Sequence, residues 1–373
     1  MNLVNLILSN DRNTAVRILI LSGVAWIPLV VLTFIDGTLF ATDITMPFIK
    51  DVTPYIQGLI VISLLVMTDN VIEPMMARTL KYFQTSSVVP KLEKERLNDV
   101  AIKMAYLMNV KWMQLILAML AIAFSWLLQS DYVALWTERG VTSWVLHEEN
   151  GEVNKTIAGT WFLLISSPLV SFLLYRWVWR FVVWSIFLYR FSRMKLVLYA
   201  SHSDLAGGLG VIGEGQSLFG IVFLIMAIVI SSDLARKVLY EGEKLLDVKQ
   251  VVIVFIFISI AALLIPLLFF TRKLFNLKHK ALAEYGALQH NASRDFHMRW
   301  IKNESSDLVD SMQPSAMADY SAVYETISNM RIVPLNPKTL VVLVVVLIIP
   351  FLLLVLTESS IWDVLKIIGG SLL

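Results

Sequence analysis

The sequence predicts an all-α fold: a polytopic integral membrane protein of about seven transmembrane helices, N-terminus inside and C-terminus outside. Three observations carry this. Seven long apolar stretches run through the chain. Of its 373 residues, 57% are hydrophobic and only 16% charged, where a soluble domain has about 25% charged residues. The basic residues between the stretches fall on alternate sides. The mean hydropathy of +0.71 suits a bilayer better than water.

A helix crossing the hydrocarbon core needs about 20 mostly apolar residues. The spans lie near residues 18–35, 54–73, 112–128, 158–175, 211–230, 251–270 and 340–356. Their apolar runs are continuous rather than alternating, which argues against a strand barrel. The first run lacks a basic leader and a small-residue cleavage site, so it reads as a retained helix. The second and fifth spans are the most polar: Asp69 and Glu73 end one, and Glu214 with several glycines begins the other.

Orientation follows from the connections. Of the 31 Lys and Arg residues, 23 fall on the side of the N-terminus and 8 on the other. Cytoplasmic loops collect such residues, which places the N-terminus inside. The third connection is acidic (Asp131, Glu138, Glu148, Glu149, Glu152), as an outer loop can be. The segment Tyr175–Phe191, rich in Arg and Trp, would reverse everything after it if it were an eighth span. Arg180 and Arg190 each fall within about 40° of Arg176 on a helix, and Trp177, Trp179 and Trp184 favour an interface. It reads as the fourth helix leaving the membrane, or as a helix lying on the inner surface.

The chain forms a single membrane domain with a small cytoplasmic layer of helical segments near residues 77–108, 176–210 and 271–338. Leu274, Leu277, Ala281, Leu282, Tyr285 and Leu288 recur at helical spacing, as do Met317, Tyr320, Tyr324 and Ile327. These two helices are expected to pack together beneath the membrane. Ile361, Trp362, Leu365 and Ile368 suggest a short helix after the last span. Asp36 and Asp43 are expected to be solvated.

The most distinctive segment is His202-Ser203-Asp204-Leu205-Ala206-Gly207-Gly208-Leu209-Gly210, followed by Glu214. Glycines allow positive φ, and successive exposed amides at a helix start can cradle an anion. Three readings compete. One is an anion or phospholipid-headgroup site, with Arg176, Arg180, Arg190, Arg193, His202, Asp204, Gly207, Gly208, Gly210 and Glu214 as candidates. The second is a metal or proton site using His202, Asp204 and Glu214; one His and two scattered carboxylates lack the ligand spacing of a metal centre, so no metal is assigned. The third is a tight turn whose polar side chains cap the backbone. Asp69 and Glu73, four apart on one helix face, are candidate intramembrane carboxylates. Charges at membrane depth are costly and often functional; the bland alternative is an interfacial pair with Arg78 or Lys81.

The absence of cysteine excludes disulfides and thiol chemistry. No cofactor motif and no nucleic-acid signature appear. Membrane lipids are the expected partners, and a homo-oligomer is left open. No nucleophile and base stand at a spacing that would mark an enzyme.

The Arg176-Trp177-Val178-Trp179-Arg180 helix and the His202–Gly210 run resemble a family of uncharacterised bacterial inner-membrane proteins, whose loop reads His-Pro-Asp-Arg-Ala-Gly-Gly-Leu-Gly. Ser203 and Leu205 stand where that loop has Pro and Arg. Glu73-Pro74, Ala318-Asp319, Tyr324-Glu325 and Met330-Arg331-Ile332-Val333-Pro334 extend the likeness from about Tyr55 to the end. It implies a shared architecture and a bacterial inner membrane, and it brings no activity. Two function classes follow from the residues: transport or channel-like passage of an ion or small solute, with Asp69, Glu73, Asp204 and Glu214 around one inner mouth; or a non-transporting sensor or effector that binds lipid headgroups or a partner.

Overall fold

Each apolar run forms a helix, the arrangement in which a segment able to cross a bilayer satisfies its own backbone hydrogen bonds. The computed structural model describes residues 13–138, 142–149, 152–302 and 314–355; the helix expected around Ile361 lies outside the described residues. Helix α1 spans Thr14–Ile35, started by the Asn13 side chain accepting from the Val16 amide. Gly37, at φ +69°, turns the chain just past its end. A longer rod, α2, covers Val52–Thr85 and α5 covers Ile157–Ser192. Each is interrupted near its start by a π-turn, at Ile56–Val61 and Phe162–Ser166 respectively. Between them lie α3 (Lys94–Asn109), α4 (Lys111–Glu138) and a hairpin of β1 (Leu146–Glu149) with β2 (Glu152–Lys155). Then follow α6 (Gly210–Tyr240, broken at Phe219), α7 (Leu245–Leu268), α8 (Thr271–Trp300), α9 (Pro314–Ser328) and α10 (Pro337–Val355).

Six of these helices are long and apolar enough to cross a membrane, or seven if the bent pair Lys91–Asn109 and Lys111–Leu127 is one span. Helices dominate the described residues, and the hairpin, which the sequence did not predict, is their one pair of strands. The Arg- and Trp-rich segment is the unbroken continuation of α5. At 1.5 Å per residue that rod is about 54 Å long, well beyond the roughly 30 Å of hydrocarbon. Beyond Ser192, residues 193–209 are loop and not helix.

The helix ends gather at two poles. At the hairpin pole, Asp36 accepts from the Ala158 amide (3.2 Å), and Trp136 Nε1 donates to Glu241 (2.9 Å). Tyr240 OH there donates to the Lys50 carbonyl at 3.0 Å. Asp36 is therefore a cap on α5; Asp43 is exposed. At the opposite, loop pole, Val197 N donates to the Val88 carbonyl (2.9 Å) and Lys278 Nζ to that of Met330 (2.7 Å). There α8 and α9 pack side by side, with Gln289 donating to Ser321 at 3.1 Å.

The main core lies between α2, α3, α5, α6 and the start of α8. Trp184, Phe187 and Phe191 stack in sequence along α5, and Phe191 meets Phe83 and Phe270. Its one long neutral polar side chain is satisfied: Gln216 accepts from Trp184 Nε1 and donates to the Leu263 carbonyl, both at 3.0 Å. Only 22% of the apolar window is buried in α1 and α7, against 44% in α2 and α6, so the first two form the rim.

One glycine fixes how α6 meets the segment before α10. A Cβ on Gly213 would stand 1.6 Å from the Pro334 carbonyl oxygen. That atom is backbone and cannot swing aside. Gly213→Ala is therefore expected to lose at least about 1–3 kcal/mol of stability, read as a lowered melting temperature. Gly220→Ala should cost less, since its Cβ would meet only the movable Leu343 side chain.

Candidate functional site

The loop at the start of α6 folds around its own carboxylate. Asp204 Oδ1 accepts from the amides of Ala206 (2.8 Å) and Gly208 (3.1 Å), and Oδ2 from that of Gly210 (2.8 Å). This geometry needs positive φ at Leu205 (55°), Gly207 (68°) and Gly208 (94°). Leucine is strained in that region, and its backbone is held there from outside: the Leu205 carbonyl accepts from the Arg331 amide at 2.7 Å, while Arg331 Nη2 donates to the Asp204 carbonyl. Tyr82 OH donates to the Gly208 carbonyl at 3.3 Å. The amides that the sequence offered to an external anion are thus turned to an internal one.

His202 Nδ1 lies 2.8 Å from Asp204 Oδ1 and 3.2 Å from the Asp204 amide. The two contacts need opposite roles of that nitrogen. The shorter, from an N–H to a carboxylate, is the stronger. Burial pushes the Asp204 carboxyl up, but the amides of Gly210, Ala206 and Gly208 and the His202 ring outweigh it and hold the group below its ordinary 3.8.

A second cluster is buried deeper, where α1, α2 and α5 meet. Asp69 Oδ2 receives Arg17 Nη1 at 2.9 Å, and Oδ1 receives Arg180 Nη1 at 3.0 Å and Arg176 Nη2 at 3.5 Å. Arg180 also reaches Glu73 Oε1 at 2.9 Å and lies over the Trp177 ring. Asp69 is 3% exposed and Glu73 5%. This corrects the expectation of pairing with Arg78 or Lys81. Both of those side chains are exposed, and Arg78 Nε donates instead to the Pro74 carbonyl. The i and i+4 guanidinium groups of Arg176 and Arg180 would repel each other alone; the Asp69 carboxylate between them offsets this.

The cluster and the loop are separate. Arg176 and Arg180 belong to the buried carboxylates and not to the glycine loop. Arg190 is exposed, and Arg193, also exposed, folds back on Tyr189. What does adjoin the loop is a cavity of 660 Å³, walled by Arg78, Asp204, Glu214, Arg331 and Asn336 among others. Asp69 and Glu73 do not line it. Arg331 Nε is buried there without a hydrogen-bond partner, and Glu214 has no ion-pair partner among the described residues. No three His, Asp or Glu side chains converge as metal ligands among the described residues.

Arg17, Arg78 and Arg331 are the members that sequence reasoning missed. Arg17 carried a faint signal: it is the one charged residue just before the first long apolar run. Comparison with protein-family models, with curated proteins and with solved structures finds no match to this chain.

Removing the centre of the cluster leaves three guanidinium groups facing one another. Asp69→Asn should cost about 3–5 kcal/mol, seen as a large drop in thermal stability, whereas Lys81→Ala should change it by less than about 0.5 kcal/mol. The loop should respond to acid. A carboxyl held below its ordinary value adds stability that is complete above that value and is lost as the pH falls through the depressed one. Protease cleavage within residues 199–210 should therefore rise as the pH drops below 3.8, and Asp204→Asn should flatten that profile.

Proposed function

We propose that this chain is a seven-span protein of a bacterial inner membrane, N-terminus inside, that senses lipid by binding a phosphate-bearing headgroup in the cavity beside its glycine loop. The charge bias of the connections supports placing the loop pole in the cytoplasm. The resemblance of the loop and its preceding helix supports the bacterial membrane. The observation that carries the ligand is the cavity itself: two guanidinium groups, from Arg78 and Arg331, share one 660 Å³ space with Glu214. Arg is the side chain best matched to phosphate.

Its depth fits a headgroup. Arg78 lies about 39 Å along α2 from Val52, past the roughly 30 Å of hydrocarbon. Thr339, at the start of α10, lines the same cavity. Glu214 suits the ammonium of a zwitterionic headgroup. The buried carboxylates speak for a binder over a carrier, since Asp69 and Glu73 are bound to guanidinium groups and stand away from the cavity.

The test is a titration of the purified full-length protein with short-chain phosphatidylethanolamine and phosphatidylglycerol, alongside glycerol phosphate and inorganic phosphate. Saturable binding of a short-chain lipid is expected, weakened at least about tenfold by Arg78→Gln and less by Arg331→Lys. Equal binding of glycerol phosphate would reassign the cavity to a free solute. Unchanged affinity in Arg78→Gln would end the reading, and ion or solute flux in liposomes abolished by Glu214→Gln would restore the transport reading.

A further inference from the structure

A second cavity lies at the other pole, and its chemistry differs. It measures 80 Å³ and is lined by Asp51, Thr53, Gln57, Trp136, Trp144 and Phe162, with Arg236 at its wall. Asp51 is 3% exposed. Its carboxylate accepts from neutral donors, the Thr53 amide and Trp144 Nε1, both at 3.0 Å. Among the described residues no Lys or Arg stands within ion-pair distance of it. Asp233, by contrast, is matched by Arg236 at 2.6 Å and Lys237 at 3.7 Å. A carboxylate removed from water without a counter-charge is strongly unfavourable.

Two further observations point to the same space. The Thr53 hydroxyl, on a residue 5% exposed, has no hydrogen-bond partner, and it lines the cavity. Both π-turns of the described residues reach it as well, one through Gln57 and the other through Phe162 and Leu163. Such turns recur at functional sites because they re-aim side chains and free backbone carbonyls.

We infer that this cavity binds a small organic cation, a primary or methylated amine, whose ammonium pairs with Asp51. Thr53 Oγ1 accepts one of its N–H groups. The rings of Trp144 and Phe162 supply the apolar and π-electron walls that favour alkylammonium over a bare metal ion, while Arg236 already covers the Trp136 ring at 5.1 Å. The size limit follows from volume: at 80 Å³ the cavity admits only a small amine. This site is independent of the headgroup cavity and stands or falls apart from it.

The experiment is calorimetry on the full-length protein in detergent with methylammonium and ethylammonium chloride, against sodium and potassium chloride at equal ionic strength. Saturable binding of the amines alone is expected. Asp51→Asn keeps one oxygen, which still accepts from the Thr53 amide, and gives up the bond from Trp144; it should weaken binding at least about thirtyfold. Thr53→Val should weaken it about tenfold and serves if the first variant does not fold. Absence of saturable amine binding, equal binding of sodium or potassium, or undiminished affinity in a folded variant would each overturn the inference.

Discussion

A charge taken out of water must find its opposite, and the packing of α1, α2 and α5 depends on how Asp69 does so. Three guanidinium groups reach one carboxylate from two other helices. Glu73, one turn further on, takes a share of Arg180. In a bilayer there is little hydrophobic drive for one apolar helix to associate with another, so polar contacts and close packing decide which helices touch. The cluster joins α1, α2 and α5 through named partners. With α1 at the rim, Arg17 is a specific tether of that helix to the bundle, together with the Trp161 and Ser166 contacts to its backbone.

The same accounting governs the glycine loop, with backbone in place of side chains. A helix start leaves amides without partners. Here the loop bends back so that Asp204 collects one of them, at Gly210, together with the loop amides of Ala206 and Gly208, and Arg331 ties the bend to the segment before α10. The result joins α2, α6 and the approach to α10 at one pole. It also leaves a space beside the bend, walled in part by Asp204 and Arg331 themselves. The cavity is thus a by-product of the way the chain satisfies its amides, and Glu214 and Arg331 are placed in it by the same turn.

Much of the architecture was legible in the sequence because it depends on local composition. The apolar runs became helices, and the periodic patterns around Leu274 and Tyr324 became the pair α8 and α9. The choice for Tyr175–Phe191 was legible only as alternatives, since a helix rich in Arg and Trp suits both a span leaving the membrane and a helix lying on its surface. The partners of Asp69 were not legible. Arg17 is 52 residues away, and no spacing rule links residues on different helices. The hairpin was hidden because Leu146–Lys155 is short and charged, and its strands are held by contacts of the neighbouring Ser143 and Trp144. Asp204 was legible as a turn former, and its competing roles were separable only once its distances to three amides were known.

The π-turns in α2 and α5 bear on all of this through rotation. A single extra residue in a helix swings everything beyond it by about 100° around the axis. Asp69 and Glu73 follow the turn in α2, and Arg176 and Arg180 follow the turn in α5. Each rod therefore carries an azimuthal offset, and the opposing charges face one another only when both offsets are kept. Two inserted residues, far from the charges and close to the hairpin, act as the phase setting that brings acid and base into register.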